Sequence, residues 1–438
     1  MNKFSLLPLA CLFTASTLAF AGEPGSVSES KKNESSVFNL SQSDLKISFG
    51  GRIQMDAASY YGSDFQHMAN GVGFRRVRLN TNASFGKNLS GKVEIEAAGG
   101  AFALKDCFIK YDFLNGLNFR LGNFQEGFSM LTMTSSGDFL FIEHPNVVSA
   151  FSPEYHIGLQ GAYQKGQFLG QAGVHFQKIN GSTEKDYVDA SLKNGQDEGV
   201  SYTFRTIWMP LSKSKTSGFH LGAAASYRTP KTDGGNFIPN TVRYSTASLT
   251  GIDKVKYMDT KAINKVDHDW LLGGELAAYS HGLRFQSEYI LNQTHRMEGL
   301  PTEKFNGYYA EAACMLFGGQ QKYVAGKGAF TQPTCGKEWG DIEVAARYDR
   351  LDMNSINVKG GQSDALTLGV NYYASKYLKF QLNYSYVNHD IYANGGGTIG
   401  VGYTSNGEVT KEPAKVDESR GKSGNNYSIV TLRAQLNF

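Results

Sequence analysis

Apolar and polar positions alternate with a period of two along most of this chain. In residues 46–61, Ile47, Phe49, Gly51, Ile53, Met55 and Ala57 fall on one side, and Lys46, Ser48, Arg52, Gln54 and Asp56 fall on the other. The last twelve residues repeat the pattern, with Val430, Leu432, Ala434 and Leu436 opposite Thr431, Arg433, Gln435 and Asn437, and the chain stops on Phe438. Successive side chains of a strand point to opposite faces, so each segment is a strand with one apolar and one wet side. Turn residues separate further segments of this kind, predicting strands near 72–85, 91–98, 104–112, 117–125, 156–164, 168–178, 200–209 and 218–229. The series continues near 269–280, 283–293, 305–316, 341–351, 365–373, 378–388 and 427–438, making about sixteen. Short connections alternate with the long stretches 125–155, 179–199, 229–268 and 389–426. An even strand number with short turns at one end and long loops at the other is the pattern of an all-β, antiparallel transmembrane barrel. The long connection 317–340 breaks the alternation, since its place in the series calls for a short turn.

The beginning of the chain sets the compartment. Lys3, an apolar run from Phe4 to Phe20, and Ala19-Phe20-Ala21 before Gly22 read as a signal peptide over residues 1–21. Residues 22–45 are polar and without apolar period, which predicts a flexible tail, and residues 46–438 form one barrel domain. Beyond the signal no run reaches the roughly 18 apolar residues of a membrane helix. Fifty glycines, 24 tyrosines and 28 phenylalanines, with a negative mean hydropathy, suit a wall that bends, carries interfacial aromatics and encloses water. The net charge of +3 points to no nucleic-acid partner. Oxidising envelope compartments permit disulfides. Cys314 and Cys335 either close a loop of about 20 residues, stabilising by about 3 kcal/mol, or stay unpaired.

Enzyme signatures are absent: there is no His-Glu-x-x-His, no Gly-x-Ser-x-Gly and no paired cysteine spacing for zinc, and no cofactor is implied. The wet faces carry the chemistry. Arg52, Arg76, Arg78, Arg120, Arg205, Arg228, Arg347 and Arg433 share the lumen parity, where a cation stays hydrated. Arg75 has the opposite parity and reaches the lumen only by turning at the strand end. Such a wall either pairs its charges across strands or grips oxyanions through arginine forks.

Several motifs then resemble the phosphate-selective porin O and P family. They are Gly73-Phe74-Arg75-Arg76-Val77-Arg78-Leu79, Leu104-Lys105-Asp106-Cys107-Phe108-Ile109-Lys110-Tyr111, and Leu121-Gly122-Asn123-Phe124-Gln125-Glu126-Gly127-Phe128. The stretch 131–151 and Ala345-Ala346-Arg347-Tyr348-Asp349-Arg350-Leu351-Asp352 are similar as well. The resemblance implies a sixteen-stranded porin of the bacterial outer membrane, a homotrimer among lipid and lipopolysaccharide, with its third external loop folded into the pore. It also implies passage of small anions along wall arginines, Arg75 and Arg76 being the family's pair.

The chain departs from the family at Gln125, where a lysine is usual, and at His144, where an arginine is usual. From Gln125 to Tyr155 there is no Lys or Arg, but there are Glu126, Asp138, Glu143 and Glu154. Carboxylates at a constriction oppose anions unless arginines neutralise them, and His144 or His156 would add charge only at mildly acidic pH. The expected function is a water-filled channel for small hydrophilic solutes, with an anion or phosphate preference. A general or weakly cation-tolerant porin, or an adhesin displaying the long loops, is the alternative.

Overall fold

A computed structural model describes residues 38–438 except 43, 63–64, 66, 101, 177, 180–198, 212–214, 231–239 and 248. The expected signal peptide and residues 22–37 of the expected tail lie outside the described residues. Sixteen antiparallel strands make one closed sheet. The first eight are β1 (Leu45–Tyr61), β2 (Gly71–Phe85), β3 (Leu89–Glu96), β4 (Ala103–Asp112), β5 (Leu117–Gln125), β6 (Tyr155–Lys165), β7 (Phe168–His175) and β8 (Ser201–Trp208). The rest are β9 (Ser217–Arg228), β10 (Val266–Ser280), β11 (Leu283–Arg296), β12 (Glu303–Met315), β13 (Asp341–Asn354), β14 (Lys359–Tyr373), β15 (Leu378–His389) and β16 (Asn426–Asn437). Each strand pairs with its successor, and β16 closes on β1 from Arg52↔Asn437 to Tyr61↔Ser428. Closure leaves no open edge, as a sheet in hydrocarbon requires. Phe438 completes the seam, its carbonyl accepting from Gly51 N at 2.8 Å. Its ring fills the space where a Cβ on Gly51 would lie.

The alternation decides which side chain meets lipid. On β15, Phe380, Leu382, Tyr384 and Tyr386 face outward, while Lys379, Gln381, Asn383 and Ser385 are buried inside the barrel. All sixteen predicted strands are present, and β14 begins six residues earlier than expected. Phe38–Gln42, inside the segment expected to be a flexible tail, pairs antiparallel with Leu45–Phe49 along the edge that β16 leaves free.

Bulges in β2 and β4 alter the simple parity of the cations there. Gln54 faces Arg76 but Met55 faces Phe74, so Arg75 is an extra residue in β2. A bulge re-aims the chain by one position, and both Arg75 and Arg76 thereby enter the lumen. The same occurs in β4, where Val93 faces Cys107 and Ile95 faces Leu104, setting Lys105 and Asp106 together in the extra length.

Two connections fold into the lumen. The third external loop, residues 126–154, turns inward through two short helices, α1 (Met130–Met133) and α2 (Asn146–Phe151). Val147, Val148 and Phe151 pack with Met258 and Ile263 of the fifth loop against Leu271, Ile290, Phe305 and Leu351 of the wall. Removing this apolar surface from water stabilises the seating by about 25 cal/mol per Å². The irregular connection 316–340 also enters the barrel, from the end that carries Phe438. Its hairpin, Gln320–Val324 with Ala329–Thr334, buries Ala329 and Phe330 against Met130, Ala277 and Tyr279. The disulfide considered between Cys314 and Cys335 does not form, and both are free thiols. Cys314 shares the outward parity of Tyr308 and Ala312. The Cys335 thiol instead lies 3.6 Å from the Tyr373 carbonyl oxygen.

Candidate functional site

With the β10–β14 side of the lumen occupied by apolar packing, a cleft of about 910 Å³ remains against β1–β5. Ten basic side chains and four carboxylates line it. The ion pairs decide what a solute meets there.

The loop is held by cations that are thereby taken out of play. Lys379 donates to the carbonyl oxygens of Gly137 and Phe139 at 3.0 and 3.1 Å. Arg433 donates to that of Ile142 at 2.8 Å, and Arg347 to that of Glu143 at 2.9 Å. Carbonyl groups facing away from water must find donors, and lumen-facing cations supply them. Arg433 is further engaged by Asp56, both of its contacts being 2.7 Å. Arg347 lies over the Phe141 ring at 4.6 Å.

Two of the loop carboxylates, Glu143 and Glu126, are neutralised in turn. Glu143 meets Arg75 at 3.0 Å, Arg433 at 3.2 Å and Arg76 at 3.8 Å. Burial favours its neutral form, but the three guanidiniums led by Arg75 outweigh it and hold the carboxyl well below the usual range. Glu126 is buried between Arg228 at 2.9 Å, His156 at 2.7 Å and the Thr203 hydroxyl at 2.7 Å. Asp138 accepts from Thr331 of the internal hairpin at 3.0 Å. Glu154 alone of the loop's carboxylates lines the cleft, without an ion pair among the described residues. His144 stacks on Phe139 with ring centres 4.4 Å apart. Burial, reinforced by Arg76 and Arg347, pushes its imidazole down to about 4. The expected gain of positive charge at mildly acidic pH is therefore not available from His144.

The wall residues separate into three groups. Arg78 is paired with Glu94 at 2.9 Å and Glu96 at 2.7 Å, and Lys92 with Glu94 at 3.0 Å and Asp106 at 2.6 Å. Arg205, Arg228, Arg347 and Arg433, expected along the anion path, hold structure instead. Arg205 forms two 2.8 Å bonds to Glu275 and donates to the carbonyls of Lys327 and Gly328, anchoring the hairpin. Arg52 and Arg120 reach the cleft without a carboxylate partner. Arg52 donates to Ser135 at 2.9 Å and to Asn437 at 3.2 Å. Arg120 lies between Phe108 and Phe124, its guanidinium 4.6 and 5.2 Å from the ring centres.

Four further cations line the cleft that strand parity does not single out: Lys105, Lys254, Lys256 and Lys327. Lys105 enters through the β4 bulge, Lys254 and Lys256 from the fifth loop, and Lys327 from the tip of the internal hairpin. Only the irregular length of 317–340 marks one of these segments in the sequence.

A closed barrel with an inward-folded external loop and a charged lumen defines a porin of the bacterial outer membrane, a channel for small solutes. Residues 47–397 match the phosphate-selective porin O and P family, and the chain belongs to it. A Caulobacter vibrioides protein of unassigned function is 27% identical over 349 residues, covering 77% of this chain and 68% of that protein. Among solved structures, OmpT, an outer membrane protein of Vibrio cholerae, superposes with a TM-score of 0.53 at 11% identity, covering 91% of this chain and 99% of OmpT. An anion-selective porin from Comamonas acidovorans gives 0.51 at 14% identity, covering 90% and 100%. The outer membrane channel DcaP of Acinetobacter baumannii gives 0.51 at 10% identity, covering 91% and 99%. At these identities the structural likeness concerns the fold.

Proposed function

We propose that the channel conducts small hydrophilic solutes passively and prefers anions, phosphate-type oxyanions among them. One observation carries this reading: the balance of unpaired charge in the cleft. Arg52, Lys105, Arg120, Lys254, Lys256 and Lys327 have no ion pair among the described residues, against the single unpaired carboxylate Glu154. Low-dielectric walls concentrate that field on whatever enters. Paired arginines such as Arg78 contribute little beyond wall structure. Hydrogen bonding by guanidinium forks suits oxyanions, while six scattered cations, most of them lysines, favour loose contacts that release the ion again.

The rest of the reading follows the family. The chain is exported by the signal over residues 1–21, inserts among outer-membrane lipid and lipopolysaccharide, and assembles as a homotrimer; a trimer form of Vibrio cholerae OmpT has been solved. The deciding experiment is the reversal potential of purified protein in a planar bilayer under a KCl gradient. A potential set by chloride supports the proposal. A potential near zero or set by potassium rejects the anion preference, and absence of conductance rejects the channel.

A further inference from the structure

Away from the cleft, at the loop-bearing end of β10–β14, three connections enclose a polar cavity of about 470 Å³. Residues 259–264 of the fifth loop form one side, the turn 357–359 another, and the eighth loop at Asn394, Gly396 and Gly397 a third. Three cations line it, Lys261, Arg296 and Lys359, with one carboxylate, Asp259.

The carboxylate is already engaged. Arg243 grips both of its oxygens, at 2.9 Å for the Nε contact, and the Lys261 backbone N–H donates to it at 2.8 Å. The cations keep donors in reserve. Lys359 Nζ has one bond, to the Ser355 carbonyl at 2.6 Å. Arg296 gives Nε to the Asn264 carbonyl at 3.1 Å and Nη1 to Glu303 at 3.4 Å, leaving Nη2. Lys261 Nζ makes no hydrogen bond or ion pair among the described residues. Gly396 and Gly397 have φ of +65° and +91°, which glycine adopts without strain. A Cβ on Gly396 would press within 3.1 Å of two stem carbons of Lys261, so glycine there leaves the lysine its course along the cavity.

We propose that this cavity is an outer binding site for a phosphate-type oxyanion. Spare ammonium and guanidinium donors around an already satisfied carboxylate give net positive charge with free hydrogen-bonding capacity. The asparagine amides at 264 and 357 offer neutral donors around the same space, while that of Asn394 donates to the Lys411 carbonyl at 3.0 Å. The fifth loop, which supplies Lys261 to this cavity, also places Lys254 and Lys256 in the cleft. The oxyanion is either a free solute on its way to the pore or a phosphate group borne by lipopolysaccharide. As a capture site for transported solute, the proposal rests on the anion preference argued above, and it commits to the free solute.

The test is one-sided phosphate block of chloride current in bilayers at low salt, comparing wild type with the double variant K261Q/K359Q. Neither lysine lines the cleft. The expected result is a three- to tenfold lower rate of blocking events, on the order that charge steering supplies, when inorganic phosphate is added on the long-loop side. The rate from the other side stays unchanged, and K261R/K359R restores the wild-type rate. An unchanged rate on the long-loop side, or an equal fall from both sides, overturns the proposal. Repeating the measurement with lipopolysaccharide in the facing leaflet separates the sources. A fall that vanishes there, with more lipopolysaccharide phosphate retained on purified wild type than on the variant, assigns the cavity to lipid-borne phosphate and overturns the free-solute role. A chloride-set reversal potential without phosphate block overturns this site and leaves the anion preference standing. A potassium-set potential overturns both.

Discussion

Replacing Glu143 by glutamine tests whether the constriction loop's carboxylates restrain the arginines beside them. Glu143 is shared by Arg75 at 3.0 Å, Arg433 at 3.2 Å and Arg76 at 3.8 Å. Arg433 keeps Asp56 at 2.7 Å after the substitution, and Arg347 keeps the backbone carbonyl of residue 143. The charge released therefore belongs to Arg75 and Arg76, which both line the cleft. One added unit of positive charge acting on an ion about 8 Å away, through an effective dielectric of about 40, amounts to about 1 kcal/mol. Potassium is disfavoured by the same amount, so the chloride-to-potassium permeability ratio should rise by about 2 kcal/mol, roughly thirtyfold. The assay is the reversal potential at about 0.1 M and again near 1 M KCl, where the Debye length shrinks from about 10 to 3 Å and the gain should largely disappear. Leaving buried arginines without their carboxylate costs up to 3–5 kcal/mol, so folded barrel is first confirmed by heat-resistant mobility on gels. An unchanged or lower ratio at 0.1 M, in a protein with intact single-channel conductance, would refute the idea that Glu143 holds back the Arg75–Arg76 pair.

Further expectations follow from the same contacts. Selectivity should stay flat from pH 7.5 to 5.5, because His144 is pushed down to about 4 and Glu143 remains ionised; a rise of the reversal potential in that window would place another titrating group in the path. Since the folded His144 lies below its unfolded value of about 6.5, it lowers stability as pH falls between the two, as proton linkage requires. Arg228→Gln leaves Glu126 buried with only the His156 ring and hydroxyl donors beside it, and should cost about 3–5 kcal/mol, seen as earlier thermal unfolding that E126Q/R228Q partly repairs. Lys327→Gln should lower the chloride-to-potassium ratio by roughly the factor expected for one charge, with no change in unfolding temperature. Reducing agent should change neither conductance nor thermal unfolding, because Cys314 and Cys335 are free thiols.

The strands were legible because lipid imposes one rule on each of them: every second residue must tolerate hydrocarbon. Lys379, Arg205 and Arg433 are placed in the lumen by that rule alone. It fails where a bulge shifts the count. Arg75 reads as outward from simple alternation, yet the extra residue between Phe74 and Arg76 turns it inward. Loops obey no such period, so Lys254, Lys256 and Lys327 carry no local sign of their destination. The inward course of 317–340 left one trace, a length too great for a turn at that end. What covers its apolar residues, Ala277, Tyr279 and Met130, lies distant in sequence. The Cys314–Cys335 pairing stayed open in the sequence for the same reason: a spacing says nothing of strand parity, and Cys314 points outward.

Counting arginines in the lumen also overstates the field an ion meets. Of the nine expected along the path, Arg205, Arg228 and Arg433 are each tied to a buried carboxylate, and Arg347 is spent on a loop carbonyl. Arg78 faces two glutamates, and Arg75 and Arg76 share Glu143. Arg52 and Arg120 remain. The third loop lacks the lysine and arginine that would favour anions, but its carboxylates Glu126 and Glu143 are already neutralised by wall cations. The residual charge is supplied from elsewhere, by lysines on a bulge, the fifth loop and an internal hairpin. Those elements lie outside the loop's own sequence, so a chain that lacks basic residues between Gln125 and Tyr155 still presents an electropositive cleft.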